Sequence, residues 1–178
     1  MHTGIHEAWT VLGQAFSFTA RHYVVVLALG GLASLQRFLA VGGDERFAWA
    51  GGVPGEVFTG VVRVLFLVWV VRTMFAGAGV SWSQAGPRLS AFAGSHAPML
   101  VASGVALVLL TLVAKGIPDG IAATLDGDAR ATFQSWELAI KNVTVIPFTM
   151  IWMTAIARVA VVGGTGTLAL EASRVSAG

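Results

Sequence analysis

The sequence predicts an all-α integral membrane protein: a four-transmembrane-helix bundle with short amphipathic interfacial helices before spans one, three and four. Three observations predict it. Of 178 residues, 56% are hydrophobic and only 11% are charged, against about 25% charged in a soluble domain; mean hydropathy is +0.77. Four apolar runs have the length of about 20 residues that a helix needs to cross a hydrocarbon core. Trp9, Trp49, Trp82 and Trp136 flank those runs, where an amphipathic ring prefers the headgroup layer, and only Trp69 and Trp152 fall within them. The length allows one transmembrane domain over residues 1–178.

The elements follow in order. In the N-terminal piece Ile5, Trp9, Leu12 and Phe16 recur at helical spacing while His6, Thr10, Gln14 and Ser17 face elsewhere. That pattern predicts an interfacial helix ending at the polar pair Arg21-His22. The first span is Tyr23 to Ala40. It begins too late, and after too little positive charge, to read as a signal peptide. The turn-rich "VGGDERFAWAGGVPG" leads to the second span, Pro54 to Ala76. After "AGAGVSWSQAGPR", the piece "RLSAFAGSHAPML" enters the third span, Ala97 to Ile117, through Ser95-His96. In "GIPDGIAATLDGDAR" Asp128 is the expected N-cap of a helix over 129–141. On that helix Glu137 and Lys141 stand at i,i+4. Lys141-Asn142 then precedes the fourth span, Val143 to Val162. Each span is helical because lipid leaves no partner for a free backbone group, and none of the runs alternates as a barrel strand does. The three pre-span pieces share a plan more than residues.

Four spans place both termini on one side. If that side is the cytoplasm, it holds Arg21, Arg72, Arg88, Arg158 and Arg174, against Arg37, Arg46, Lys115, Arg130 and Lys141 opposite. The positive-inside rule does not decide between them. The acids are lopsided, Glu7 and Glu171 against Asp44, Glu45, Glu56, Asp119, Asp126, Asp128 and Glu137, and tip the expectation to N-in and C-in. The GC-rich style of the sequence points to a bacterial plasma (inner) membrane.

Several chemistries are excluded. With no cysteine there is no disulfide, thiolate metal site or cysteine nucleophile. A net charge of +2 makes no basic patch for nucleic acid. No catalytic triad, zinc signature, phosphate loop or dinucleotide fingerprint occurs, so neither an enzyme activity, a metal nor a cofactor is expected. His22 and His96 begin two spans at one face, an arrangement that can hold a haem iron from both sides. Neither lies deep in a span, and no haem-attachment signature accompanies them.

What remains is the stretch "GVVRVLFLVWVVRT", residues 60–73, with Arg63 and Arg72 among ten Val, Leu, Phe and Trp. Arg72 falls near the end of its helix and can snorkel to water. Arg63 falls near mid-span, where an arginine costs about 2.5–3.5 kcal/mol on insertion scales. It either snorkels from a tilted or shorter helix, organises a hydrogen-bond hub, or binds a ligand, lipid or partner. No acid lies deep in the spans. The polar candidates to meet Arg63 are Ser34, Gln36, Ser103, Thr149 and Thr154, with Glu56 expected to reach the interface instead. Arg37, Lys115 and Arg158, each near a span exit, are expected interfacial anchors or contacts for anionic headgroups. The pairs Gly30/Ser34 and Ala102/Ala106 suggest close packing of spans one and three.

The expected function is a non-catalytic multi-pass membrane subunit assembling with other membrane proteins or lipids, as a hetero- or homo-oligomer. The alternative is a small oligomeric transporter or channel organised around Arg63. The topology has a direct check. With cysteines placed singly at Gly43 and Ser176, a membrane-impermeant reagent should label only one of the two in intact cells; equal labelling of both excludes four spans.

Overall fold

The computed structural model describes residues 2–41, 45–80 and 82–163. Gly43, Asp44, Glu171, Arg174 and Ser176 of the topology analysis lie outside them. The described residues form eight α-helices and no strand: α1 (His2–Arg21), α2 (Tyr23–Val41), α3 (Ala48–Gly51), α4 (Val53–Met74), α5 (Ala85–Ser95), α6 (Ala97–Ala123), α7 (Gly127–Val143) and α8 (Val145–Val162), with short 3-10 turns at 45–47 and 82–84. Four stretches are long and apolar enough to cross a membrane: Tyr23–Ala40, Val53–Met74, Ala97–Ala123 and Gly127–Val162.

Several expected boundaries move. α4 stops at Met74, short of Ala76, and α6 continues past Ile117 through Pro118 to Ala123. Proline removes one backbone donor there, and the Lys115–Asp119 pair at 2.8 Å straddles it. α7 begins at Gly127 with Asp126 at the N-cap, so Asp128 lies in its first turn and is not the cap. The larger change is at the fourth span. α7 and α8 form one 36-residue stretch interrupted only at Thr144, and Asn142 falls inside it.

Three junctions are built alike. His22 N donates to Phe18 O at 3.0 Å while His22 O accepts from Val26 N at 3.1 Å. His96 N donates to Phe92 O at 2.8 Å while His96 O accepts from Leu100 N at 3.1 Å, and Thr144 does the same between Ile140 and Phe148 at 3.0 and 3.1 Å. One residue leaves helical geometry at each, yet the i to i+4 bonds continue around it. The first two junctions also share a Phe-x-x-x-His pair, with rings stacked at 4.5 Å for Phe18–His22 and 4.2 Å for Phe92–His96.

With α2 drawn rising, α4 descends beside it: Arg37 meets Glu56, Gln36 meets Thr59, and His22 meets Trp69. α7 descends on another side of α2, with Phe38 against Trp136, Ser34 bonded to Ala139, and Gly30 against Asn142 and Val143. α8 continues downward to meet the end of α4, where Arg158 Nε donates to Met74 O at 2.7 Å. Gly30 and Ser34 thus face α7, not the third span as their spacing suggested. The core fills the lower half, where Val26, Phe66, Val70, Ile151, Trp152, Ala155 and Val159 are buried with Val11, Ala15, Phe92 and Met99.

The pre-span helices are not uniformly short. α1 has 20 residues, α5 has 11 and α7 has 17. α1 crosses the lower end from the start of α6, where Gly4 meets Pro98 and Met99, to Phe18 and His22 beside Trp69. Its stripe divides differently from the sequence pattern. Val11 and Ala15 are fully buried, while Ile5, Trp9 and Phe16 point outward at 49%, 66% and 68% exposure. Val11 and Ala15 seat α1 on the bundle with Leu12 and Phe18 partly buried beside them, while Ile5, Trp9 and Phe16 face away.

Between apolar helices in lipid there is little hydrophobic drive, and close van der Waals approach and polar ties count for more. One such tie joins α2, α3 and α4. Thr59 Oγ1 donates to Gln36 Oε1 at 2.7 Å, and Gln36 Nε2 donates to Ala50 O, with all three residues buried. A Cβ on Gly55 would strike the Ala50 carbonyl and stand 2.7 Å from Gln36 Nε2. Gly55→Ala should therefore lower Tm in mild detergent by roughly 2–12 °C, the equivalent of about 1–3 kcal/mol of overpacking. Gly60→Ala, whose Cβ meets nothing within 4 Å, should leave Tm unchanged.

Candidate functional site

Arg63 stands ten residues after Val53 and eleven before Met74 in the 22-residue α4, about 15 Å from either end. Gly55, Thr59, Val62, Phe66 and Val70 form the buried stripe of that helix. Arg63 lies at the stripe's edge and is half-buried. Set across a hydrocarbon core of about 30 Å, it sits at mid-depth.

Its partner is Asn142. Arg63 Nη2 donates to Asn142 Oδ1 at 3.1 Å, while Asn142 Nδ2 donates to Leu138 O on its own helix at 3.0 Å. The second bond orients the amide so that its oxygen faces α4. Asn142 is only 4% exposed and lies two residues before the Thr144 break. Gly30 makes this placement possible: a Cβ there would stand 2.7 Å from Asn142 O and 3.0 Å from Val143 Cα. Arg63 Nε is buried without a hydrogen-bond partner. A pocket of about 20 Å³ adjoins it, walled by Leu29, Ala33, Phe66, Ile146 and Met150. It has room for about one water but offers few polar groups to hold it.

Among the described residues no carboxylate meets Arg63. Glu56 takes Arg37 with both oxygens at 2.6 and 2.9 Å, Asp119 takes Lys115, and Glu137 takes Lys141. α2 and α8 carry no acid, and Asp128 lies fourteen residues from Asn142 on α7, about 21 Å along the helix. The expected polar partners are also engaged or placed elsewhere. Ser34 Oγ donates to Ala139 O at 2.6 Å and Gln36 belongs to the Thr59–Ala50 tie. Thr149 and Thr154 bond back to Ile146 O and Met150 O at 2.8 Å. Ser103 is buried with no partner for its hydroxyl. Asn142 was hidden by the boundary drawn at Val143. It is the only asparagine of the chain, and an amide one residue outside an apolar run was its one available signal.

Arg37, Arg72, Arg88 and Arg158 lie near helix ends, while Lys115 sits inside α6 paired with Asp119. Arg37 ties α2 to α4 through Glu56. Arg158 meets the last residue of α4, and Arg88 donates through Nη1 to Val161 O at 2.7 Å and through Nη2 to Gln84 Oε1 at 2.9 Å. A cation against the last carbonyls of a helix also meets the negative end of its dipole. Arg72 is exposed, two residues from the end of α4. His22 and His96 do not converge. His22 packs on Phe18 and Trp69, whereas His96 stacks on Phe92 and shares a 2.8 Å hydrogen bond with Ser95 Oγ. α1 separates them: Gly4 sits against Pro98, and His22 lies eighteen residues farther on, about 27 Å along the helix.

Comparison with protein-family models, curated proteins and solved structures finds no match. Function is therefore read from the site itself. The Arg63–Asn142 bond has a measurable consequence. A double-mutant cycle of Arg63→Leu and Asn142→Leu, followed by reversible unfolding in one mild detergent, should give a coupling of about 0.6–1.7 kcal/mol, the range for polar ties between membrane helices. Additive single-site effects would show that the two side chains act independently.

Proposed function

We propose that this chain is a non-catalytic multi-pass subunit of a plasma membrane that assembles with other membrane proteins through the Arg63 edge of α4. What carries the reading is the incomplete satisfaction of Arg63: one neutral partner, one buried nitrogen without a partner, and a side chain only partly covered. An arginine at the centre of a bilayer costs several kcal/mol unless its donors are met. Protein contact at its open side supplies acceptors for the outward guanidinium donors that Asn142 leaves unmet; the buried Nε stays within the bundle.

A transporter or channel is favoured less. Polar contacts between α2, α4 and α7 run from Arg37–Glu56 through Gln36–Thr59 and Ser34–Ala139 to Arg63–Asn142. Below that level Phe66, Val70, Ile151 and Val159 fill the same seam. A conducting path needs polar or wet surface through that lower half as well.

The test is purification in a gentle detergent followed by native mass spectrometry. The parent should be recovered with another membrane protein. Arg63→Lys keeps the charge but loses the planar fork and should lower recovery; Arg63→Leu should lower it several-fold, although leucine suits lipid better. Arg72→Leu should resemble the parent. Full assembly of Arg63→Leu would refute the proposal.

A further inference from the structure

Resting on the assembly reading above, we infer that the occupant of the Arg63 edge is a transmembrane helix of another protein that carries an aspartate or glutamate at mid-bilayer depth. The charge balance points there. Arg63 brings a positive charge to the middle of α4, its hydrogen bond among the described residues is to the neutral amide of Asn142, and Glu56, Asp119 and Glu137 are each held by a different cation. A carboxylate matches a guanidinium in both charge and geometry, since each offers two parallel hydrogen-bonding positions.

The surface beside Arg63 suits a helix. Gly60 and Leu67, three residues before and four after it, share its edge of α4, and both are exposed. A Cβ on Gly60 meets nothing within 4 Å, so the α4 backbone is open to close approach one turn from the guanidinium. Small residues at such positions let helix backbones come together in lipid. Two other occupants match less well. A second copy brings the same inventory: its α2 and α8 carry no acid and its Glu56 is paired with Arg37. A phospholipid phosphate stays in the headgroup layer, about 15 Å along the helix from Arg63.

The probe is a synthetic leucine-alanine transmembrane peptide with one glutamate at its midpoint, compared with the same peptide bearing glutamine. The full-length protein and either peptide are reconstituted in phosphatidylcholine vesicles, and association is read by energy transfer between fluorophores. The glutamate peptide should associate at least tenfold more strongly than the glutamine peptide. Arg63→Leu should abolish that preference, and Arg63→Lys should keep part of it. Gly60→Leu should weaken association while keeping the parental Tm. Arg63→Glu should transfer the preference to a peptide with lysine at its midpoint. Equal association of the two peptides with the parent, or an unchanged preference in Arg63→Leu, would overturn the inference. So would self-association that displaces the glutamate peptide, or a fatty-acid carboxylate retained on the parent in native mass spectra and lost from Arg63→Leu; these assign the edge to a second copy or to lipid. Loss of the cellular complex in Arg63→Leu without any glutamate preference refutes the carboxylate partner alone. An intact complex in Arg63→Leu refutes the assembly reading beneath it.

Discussion

The approach of α2 to the α7–α8 junction depends on residue 30 having no side chain. Gly30 lies against the Asn142 carbonyl and the Val143 backbone at distances no Cβ tolerates. From that contact the rest of the central arrangement follows. α7 lies antiparallel along α2, Thr144 interrupts the helix just beyond the contact, and Asn142 projects its amide oxygen toward α4. Arg63 then has an internal partner at the level where α4 is farthest from either end. A larger residue at position 30 would push the two backbones apart and take Asn142 away from the guanidinium.

The bundle divides its cohesion by height. In the upper half, helices are tied by hydrogen bonds and an ion pair: Arg37 to Glu56, Thr59 to Gln36 to Ala50, and Ser34 to Ala139. In the lower half, the same helices meet through Phe66, Val70, Ile151, Trp152 and Val159, and the cations appear only at the helix ends. Arg63 sits at the boundary between these regimes. Its Nη2 reaches into the last polar contact of the upper half, and Phe66, one turn below it, begins the apolar seam.

The contrast among the arginines is one of position, not residue type. Arg88 and Arg158 meet carbonyls at helix C-termini, where the last turn leaves acceptors without intrahelical partners. Arg37 meets a carboxylate near the opposite ends of α2 and α4. At the middle of α4 every backbone carbonyl is occupied by the helix itself, so Arg63 depends on side chains from other elements. Asn142 supplies one acceptor. The open edge of α4 beside Gly60 and Leu67 is where a second can enter.

The sequence by itself determined the all-helical fold, four helices long and apolar enough to cross a membrane, and the polar interruptions before them, because each follows from local composition and from the rule that a backbone in lipid must satisfy its own hydrogen bonds. It also singled out Arg63 from Arg72 by distance along one helix. The tertiary structure alone decided what Arg63 meets. A boundary at Val143 treats Asn142 as an entry residue; packing against Gly30 makes it an interior one, since α7 and α8 descend as a single interrupted stretch. The face of α1 divides for a related reason. Periodicity marks Ile5, Trp9, Leu12 and Phe16; of these only Leu12 packs against the core, beside the fully buried Val11 and Ala15, while the other three stay exposed. In a soluble protein the largest apolar stripe faces the core. Where lipid is as apolar as the side chains, shape decides which face turns inward, and shape is settled only when the helices meet.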